Sequence, residues 1–323
     1  MPDEPVDDAV MPDRAARFFS GPGLLARIVR GALGAGTAQA AGIGLTFVLH
    51  LLLARALGIE EYGLYLYAVT WAGMLSLIAK LGFDTAAARF IPVFLANGET
   101  ARLHGFVRRG NIIVLFTSTA LAILAAAIVY VAGSALPAET QSVFWLTCPL
   151  LPLIAVSQWL QGVLRGFQRV VRSELPERVV RPLLMMALIT IVPMSGLNPG
   201  NAMSAVALHL AAMLAAVLLA AHWVRTALPG RVDTEPQYAT GEWIRTSLPM
   251  AVVAISFLVM SQIDILMVGY LMGPAPAGNY GIAIRIAGLA LLGLVAVNTI
   301  LGPKIADLHA RRRYAGLRRI MIW

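Results

Sequence analysis

The chain has 323 residues, of which 59% are hydrophobic and 13% are charged, and its net charge is +8. Soluble domains carry roughly 25% charged residues, so this composition, with a mean hydropathy of +0.76, excludes an ordinary water-soluble protein. The basic residues lie in short segments between long apolar runs instead of on one domain, which excludes a nucleic-acid-binding protein and leaves anionic lipid or phosphate as their partner.

The N-terminal 30 residues precede the first apolar run, which begins near Gly31. That run is too long for the hydrophobic region of a cleavable signal peptide. The preceding segment starts with acidic residues and continues as a basic amphipathic stretch. We therefore expect residues 1–30 to form a cytoplasmic tail and a segment at the membrane surface.

Apolar runs of membrane-spanning length occupy most of the remaining chain. A helix needs about 20 apolar residues to cross the hydrocarbon core, and backbone amides in lipid must be paired within the protein. The sequence therefore predicts an all-α membrane protein with eight transmembrane helices. They lie near residues 31–54, 62–82, 111–132, 143–164, 179–197, 202–224, 248–272 and 278–302.

The distribution of Lys and Arg predicts the orientation. With a cytoplasmic N-terminus, 23 of the 25 basic residues fall in cytoplasmic segments, Arg55 falls on the outer side and Arg285 lies within the eighth predicted helix. Cytoplasmic loops of membrane proteins carry an excess of Lys and Arg. The distribution therefore supports both the helix count and the orientation.

An internal repeat relates residues 58–73 to residues 273–288 at a constant offset of 215 residues. The identical pairs are Gly58 and Gly273, Gly63 and Gly278, Tyr65 and Tyr280, Ala68 and Ala283, Ala72 and Ala287, and Gly73 and Gly288. The repeat equates the first two predicted helices with the seventh and eighth, as in transporters built from two parallel six-helix bundles.

The repeat also predicts the domain organisation. Residues 31–225 form a complete six-helix N-terminal lobe, residues 226–247 a cytoplasmic linker, and residues 248–323 the first two helices and a basic cytoplasmic segment of a second lobe. A complete second lobe would need about four more helices. We therefore expect the chain to be truncated at its C-terminus.

Charged residues inside predicted spans are costly and mark functional sites or ion pairs. Asp264 and Arg285 each lie about eight residues from the outer hairpin, which at about 1.5 Å per residue places both about 12 Å below it. Two interpretations remain open. The residues form an ion pair that holds the hairpin together, or they face a cavity, where Arg285 contacts an anionic headgroup and Asp264 binds a coupling ion.

Further charges lie near the ends of the first two predicted helices. Lys80 and Asp84 are one helical turn apart and can pair. The apolar stretch after Lys80 is expected to continue the second helix, so that Arg89 either lines an inward-facing cavity or extends to the cytoplasmic surface. Arg55 is expected to pair with a neighbouring glutamate at the outer surface.

Motifs of enzymes and metal sites are absent from the sequence. It lacks a nucleotide-binding P-loop, a serine-hydrolase elbow and a zinc-protease motif, so we predict neither an enzyme nor a bound cofactor. Its single cysteine, Cys148, excludes an internal disulfide. His50 and His209 lie within predicted helices and are expected to be hydrogen-bonded packing residues.

Four stretches carry a resemblance to a known family. They are LLLARALGIEEYGLYLYAV at 51–69, LGFDTAAARFIP at 81–92, QGVLRGFQRVVRSELPERVVRPLL at 161–184 and DILMVGYLMGPAPAGNYGIAIRIAGL at 264–289. In this order they resemble the polysaccharide transporter family of the multidrug/oligosaccharidyl-lipid/polysaccharide flippase superfamily, and the likeness extends over about residues 30–320.

The resemblance implies two lobes around a central cavity that carries an undecaprenyl-diphosphate-linked oligosaccharide or polysaccharide unit across the bacterial inner membrane by alternating access. Cationic side chains in the cavity would hold the diphosphate, since Arg pairs bidentately with phosphate oxygens. The cationic candidates are Arg285, Arg89, Lys80 and Arg55, and the candidates for ion coupling or ion pairing are Asp264 and Asp84. The implied partners are membrane lipids, a proton or sodium ion, and polysaccharide-assembly proteins, but not nucleic acid.

Three alternatives remain open. An ion-coupled drug or cation antiporter of the same superfamily should have an acidic and aromatic site, whereas the charge here tilts toward an anionic cargo. A membrane polymerase or ligase should have a large outer loop with catalytic residues, which the sequence lacks. The third alternative is an inactive fragment or a scaffolding membrane protein.

Overall fold

The computed structural model describes residues 22–134, 137–192, 200–230 and 235–290, of which residues 22–36 are described by their backbone alone. All regular elements within these ranges are helical. The prediction of an all-α membrane protein is confirmed.

The helices have the following bounds. They are α1 (Pro22–Leu57), α2 (Ile59–Ala79), α3 (Phe83–Asn97), α4 (Thr100–Val131), α5 (Ala138–Thr147), α6 (Leu150–Gly166), α7 (Val170–Leu175), α8 (Arg181–Ile191), α9 (Ala202–Ala227), α10 (Thr240–Met272) and α11 (274–290). A short 3-10 turn, Ala132–Ser134, follows α4, and a π-helical turn, Pro176–Val180, joins α7 to α8.

Five helical segments are long and apolar enough to cross a membrane. They are Gln39–Leu57, Ile59–Ala79, Thr100–Val131, Ala138–Gly166 and Ala202–Ala227. In α10, Thr240–Phe257 and Gln262–Met272 meet at 55° and make a sixth if the bent pair is counted as one span. The predicted fifth and eighth helices, 179–197 and 278–302, extend beyond the described residues, so the count of eight stays a prediction.

The apolar stretch after Lys80 was expected to continue the second helix. The structure shows that it does not. Leu81 and Gly82 have φ values of 50° and 74°, so the chain turns there and begins the separate helix α3. A side chain at Gly82 would have its Cβ 2.3 Å from the Ser247 carbonyl oxygen. The turn therefore needs glycine both for its backbone conformation and for the close approach of α10.

An aromatic core holds α3, α4, α6 and the start of α10 together. It consists of Phe83, Phe90, Phe94, Phe106, Trp159 and Trp243, whose contacting rings have centroids 5.2 to 6.2 Å apart. Trp159 and Trp243 are 0% and 1% exposed. Trp243 lies within the predicted 226–247 linker, where α10 is already helical, so this segment packs against the preceding helices.

The two copies of the internal repeat form hairpins with matching geometry. Gly58 ends the α1–α2 connection and Gly273 the α10–α11 connection, with φ values of 78° and 93°. The next helix begins at the following residue in each hairpin. Gly63 and Gly278 then meet where the hairpins cross: a Cβ on Gly278 would lie 3.1 Å from the Cα of Gly63. This one matched pair of glycines therefore lets the two hairpins approach closely.

Candidate functional site

A polar cavity of about 750 Å³ lies between α1, the α2–α3 turn, α6, the α7–α8 segment, α10 and α11. An adjoining cavity of about 270 Å³ shares several of its lining residues and extends toward α9. The charged residues that line the main cavity are Lys80, Asp84, Arg165, Glu174, Glu177, Arg178, Arg181 and Arg285. Five cations therefore face three carboxylates.

Lys80 and Asp84 form the ion pair that their spacing predicts. The Lys80 Nζ lies 2.6 Å from the Asp84 Oδ2, and the two residues are 5% and 8% exposed. Lys80 directly follows the last residue of α2, and Asp84 lies in the first turn of α3. The turn at Leu81 and Gly82 between the two helices brings the two side chains together. The charge of Lys80 is therefore largely neutralised within the protein.

A second group of charges joins α6 to the α7–α8 segment. Glu174 pairs with Arg178 and, at 3.5 Å, with Arg165. The Glu177 carboxylate accepts hydrogen bonds from the Gln161 amide at 2.9 Å and from the Ser157 hydroxyl at 3.4 Å. Both arginines of this group are therefore held by a carboxylate, and the π turn that carries Glu177 is fixed to α6.

The π turn gives this segment its geometry. The amide of Arg181 donates to the carbonyl of Pro176, five residues earlier, and Pro176 itself has no amide hydrogen to donate. Such π turns are frequent at functional sites. Here the turn precedes α8 and places Arg181, a residue of its first turn, at the boundary of the two cavities.

Arg181 has no carboxylate within ion-pair distance in the part of the chain that the structure describes. Its guanidinium lies 3.2 Å from the Nε2 of His209, a residue of α9 that is 3% exposed. The Nδ1 of the same ring lies 3.0 Å from the Tyr65 hydroxyl. The partners of this arginine are thus uncharged groups, so its positive charge is not neutralised.

Arg285 is in a similar position on α11. Its guanidinium lies beside the Tyr62 hydroxyl, which in turn lies 3.0 Å from the Nδ1 of His50. No carboxylate comes within 4 Å of Arg285 among the described residues. His50 and His209 are both hydrogen-bonded, as predicted, but they lie at the adjoining cavity and next to its arginines.

Of the two interpretations of Asp264 and Arg285, the ion pair is not formed. The Asp264 carboxylate accepts a hydrogen bond from the Tyr280 hydroxyl at 2.9 Å. Tyr280 and Arg285 are five residues apart, which separates them by roughly 140° around α11. Gly281 shows which way Arg285 points, because a Cβ there would meet the Leu66 side chain of α2. Asp264 and Arg285 therefore point in different directions, and of the two residues Arg285 lines the cavity.

Arg89 and Arg55 are exposed and are not among the residues that line either cavity. The local pair expected for Arg55 is also not formed with either neighbouring glutamate in the described chain. Glu61 instead accepts the amide of Ala202 at the start of α9. Of the four cationic candidates, the structure brings Lys80 and Arg285 to the cavity.

Sequence reasoning missed five charged cavity residues because it placed the segment 165–181 in the cytoplasm. One is Arg165 at the end of α6, and the other four are Glu174, Glu177, Arg178 and Arg181. The spacing of three or four residues among the latter four places them along one face of a helical segment, and opposite charges at that spacing were the available signal. The positive charge of this segment conceals that signal, because arginines in a cytoplasmic loop also mark the orientation of a membrane protein.

Unsatisfied polar atoms concentrate at this cavity. In the described part of the chain, the buried side-chain atoms without a hydrogen-bond partner are Asp84 Oδ1, Gln158 Oε1, Arg181 Nε and Arg285 Nε. All four residues line the main cavity. An unpaired buried polar atom costs about 1–3 kcal/mol, so folds rarely keep several together without a use for them. The described residues contain no cluster of His, Cys, Asp and Glu suited to a metal ion.

Comparisons with known proteins agree with this architecture. A family model described as polysaccharide biosynthesis protein matches residues 28–309. No curated protein matches the chain. Several solved structures of transporters have a similar fold, at sequence identities that establish the fold alone.

One is an inward-facing multidrug resistance MATE family transporter of the MOP superfamily, with a TM-score of 0.58, 19% identity, and coverage of 91% of this chain and 67% of that one. Another is the MATE multidrug transporter DinF-BH, solved as a complex, with a TM-score of 0.54, 17% identity, and coverage of 93% and 68%. A third is a MOP superfamily transporter from Pyrococcus furiosus Vc1 whose binding pocket is described as having reverse polarity, with a TM-score of 0.51, 19% identity, and coverage of 87% and 71%.

Proposed function

The chain belongs to the polysaccharide biosynthesis protein family, and from this premise we propose that it is a flippase for undecaprenyl-diphosphate-linked oligosaccharide or polysaccharide units in the bacterial inner membrane. Its multi-pass helical fold is that of MOP superfamily transporters. The proposal includes alternating access, a cytoplasmic N-terminus, and two lobes, 31–225 and 248 onward, joined by the segment 226–247. The chain spans about two thirds of the length of the transporters that it resembles.

The observation that carries the proposal is the pair of unneutralised arginines in the cavity. Arg181 and Arg285 both line it, and neither has a carboxylate partner in the described chain. A diphosphate carries several negative charges, and the planar guanidinium pairs with phosphate oxygens through two parallel hydrogen bonds. An anionic headgroup would thus supply the partners that both arginines lack.

The size of the cavity also supports an anionic headgroup as cargo. Its volume of about 750 Å³ is typical of sites for small molecules, which occupy roughly 300–1,000 Å³. Gln158 on its wall, whose carbonyl oxygen has no partner in the described chain, offers a hydrogen bond of the kind that sugar hydroxyls need. The lipid tail of the cargo would stay in the bilayer, so the cavity would need to hold only the headgroup.

A cationic cargo is the second candidate, and Glu177 is the residue that favours it. The Glu177 carboxylate accepts hydrogen bonds from Gln161 and Ser157 but forms no ion pair in the described chain. A drug antiporter would use such a carboxylate to bind a cationic drug. Two unneutralised arginines on the same wall oppose a cation, however, because like charges repel strongly in a low-dielectric site.

A binding experiment separates the two candidates. The purified chain in lipid nanodiscs is titrated with geranylgeranyl diphosphate, a short polyprenyl diphosphate, and with a cationic rhodamine dye. We expect the diphosphate to bind, and Arg181→Gln or Arg285→Ala to weaken its binding at least about tenfold, which corresponds to about 1.4 kcal/mol. Arg285→Lys should retain part of the affinity, because it keeps the charge without the planar guanidinium.

The matched control is Arg89→Gln, since Arg89 is an exposed arginine outside the cavity. It should bind the diphosphate as the unaltered chain does. Binding of the dye without binding of the diphosphate would contradict the proposal and favour the antiporter. Full affinity in Arg285→Ala would remove Arg285 from the site.

A further inference from the structure

The hydrogen bonds around His209 have an assignable direction. Arg181 can only donate, so the His209 Nε2 that lies 3.2 Å from its guanidinium accepts. The Tyr65 hydroxyl lies 3.9 Å from the Met185 sulfur, which can only accept, so this hydroxyl donates to sulfur and accepts from the His209 Nδ1 at 3.0 Å. The chain of donors therefore runs from Arg181 through His209 and Tyr65 to Met185.

This direction fixes the protonation state of the ring. A histidine that accepts at Nε2 and donates at Nδ1 is the neutral Nδ1–H tautomer. A second proton on Nε2 would turn that atom into a donor facing the donors of Arg181, and would place two positive charges side by side. His209 can therefore take up a proton only when the Arg181 guanidinium moves away from it.

An anion in the cavity would cause that movement. The Arg181 Nε is buried without a partner, and a phosphate group offers it charge-assisted hydrogen bonds that the neutral imidazole cannot match. Once the guanidinium turns toward the anion, the Nε2 lone pair of His209 is free. A proton from water can then bind there, and the imidazolium adds a positive charge next to the bound anion.

We propose that His209 is a proton-binding site coupled to anion binding at Arg181, so that the protein takes up a proton as the diphosphate headgroup binds. This inference rests on the proposed function for the identity of the anion. The balance is simple: one proton from solvent is bound at Nε2, and no covalent bond changes. Coupling between two binding sites is reciprocal, so protonation of His209 must also tighten anion binding.

Other charged and titratable groups share the cavity with His209 and contribute to its field. They are His50 on α1, Tyr65 on α2, Glu177 in the π turn, Arg181 on α8 and Arg285 on α11. His50 differs from His209 because its Nδ1 faces the Tyr62 hydroxyl, which can donate to it, and no arginine contacts its ring directly among the described residues. The coupling is therefore assigned to His209.

Calorimetry of diphosphate binding tests the inference. The purified chain in nanodiscs is titrated with geranylgeranyl diphosphate from mildly acidic to mildly alkaline pH, in two buffers of different ionisation enthalpy, which gives the number of protons taken up. Protonation of the probe itself is the same for every variant and cancels in their difference. Relative to His209→Gln, the unaltered chain should take up as much as about one additional proton, and its affinity should rise up to about tenfold for each unit of falling pH.

His222→Gln is the matched control, since His222 is a histidine on the same helix that lines neither cavity. It should behave as the unaltered chain. Equal proton uptake by His209→Gln and the unaltered chain, with binding that still depends on Arg181, would overturn this inference and leave the proposed function standing. Failure of the unaltered chain to bind the diphosphate at any pH would overturn both.

Nitrogen NMR of the histidine rings gives a second readout that needs no folded His209 variant. In the unaltered chain without ligand, His209 should show the neutral Nδ1–H tautomer. Saturation with geranylgeranyl diphosphate at mildly acidic pH should convert it to imidazolium. A neutral ring in the saturated complex would contradict the proposal.

Discussion

The two faces of helix α6 lie in opposite kinds of surroundings. On one face Trp159 belongs to the aromatic core, where its indole N–H donates to the Asn111 side chain. On the other face Gln158 and Gln161 line the polar cavity, and the Gln158 carbonyl oxygen has no partner among the described residues. The indole on the core face is packed and hydrogen-bonded, whereas the cavity face keeps an unpaired group.

This difference indicates that the two faces contribute to different properties, one to stability and the other to ligand binding. Close packing and satisfied hydrogen bonds stabilise the fold, so the core face should control the free energy of unfolding. The cavity face retains unpaired groups whose burial costs stability, so it should control binding. Variants on the two faces should therefore separate folding from ligand affinity.

The largest effect on stability is expected from Trp159→Ala. It removes a fully buried ring that packs against Phe83 and Phe106 and leaves a cavity, which costs about 3–5 kcal/mol. The adjacent Gln158→Ala removes an oxygen without a partner in the described chain and should be neutral or stabilising. Reversible unfolding of both variants in mixed micelles measures the difference. Equal destabilisation by the two variants would contradict the division between the faces.

The Lys80–Asp84 pair provides the next largest effect, because it neutralises buried charge on the cavity wall near α3. Lys80→Met leaves the Asp84 carboxylate buried without its cation and should cost about 3–5 kcal/mol. The double variant Lys80→Met with Asp84→Leu removes both charges and should recover most of this loss. The same unfolding assay tests it, and a double variant as unstable as the single one would show that the pair acts through more than its charges.

Two helical glycines test the contrast between core and cavity through smaller expected changes in stability. A Cβ on Gly110 would lie 2.4 Å from the Trp159 ring, whereas a Cβ on Gly73, which lines the adjoining cavity, would meet nothing within 4 Å. Gly110→Ala should therefore destabilise the protein by about 1–3 kcal/mol. Gly73→Ala should stabilise it by about 0.5–1 kcal/mol, since alanine loses less entropy in a helix. Opposite signs in thermal unfolding would confirm the contrast, and equal signs would refute it.

The smallest effect on stability is expected from Arg181→Gln. It removes a buried charge that lacks a carboxylate in the described chain, and glutamine can still donate to His209, so the free energy of unfolding should change by less than about 1 kcal/mol. Binding of geranylgeranyl diphosphate should nevertheless weaken at least about tenfold. Measuring both quantities on one preparation shows whether the cavity face contributes affinity without stability. Loss of folding together with binding would place Arg181 among the structural residues.

Much of the architecture follows directly from the sequence. Runs of apolar residues long enough to span lipid predict transmembrane helices, because an unpaired backbone amide cannot remain in hydrocarbon. The offset between Gly58 and Gly273 predicts two matching hairpins, and both connections have a positive φ with an extended ψ, a conformation that is essentially restricted to glycine. The spacing of Lys80 and Asp84 predicts their ion pair, but the pair forms across the turn at Leu81 and Gly82 and not on one continuous helix.

The composition of the cavity was decided by the tertiary structure. Asp264 and Arg285 have matching depths in the sequence, but depth does not determine which face of a helix packs against a neighbour, and α11 turns Arg285 toward Tyr62. The turn at Gly82 and the π turn before Arg181 likewise depend on contacts between distant segments. Local sequence determines helices and their local pairs, whereas the rotation of each helix about its axis, and hence which charges meet, depends on the packing of the whole chain.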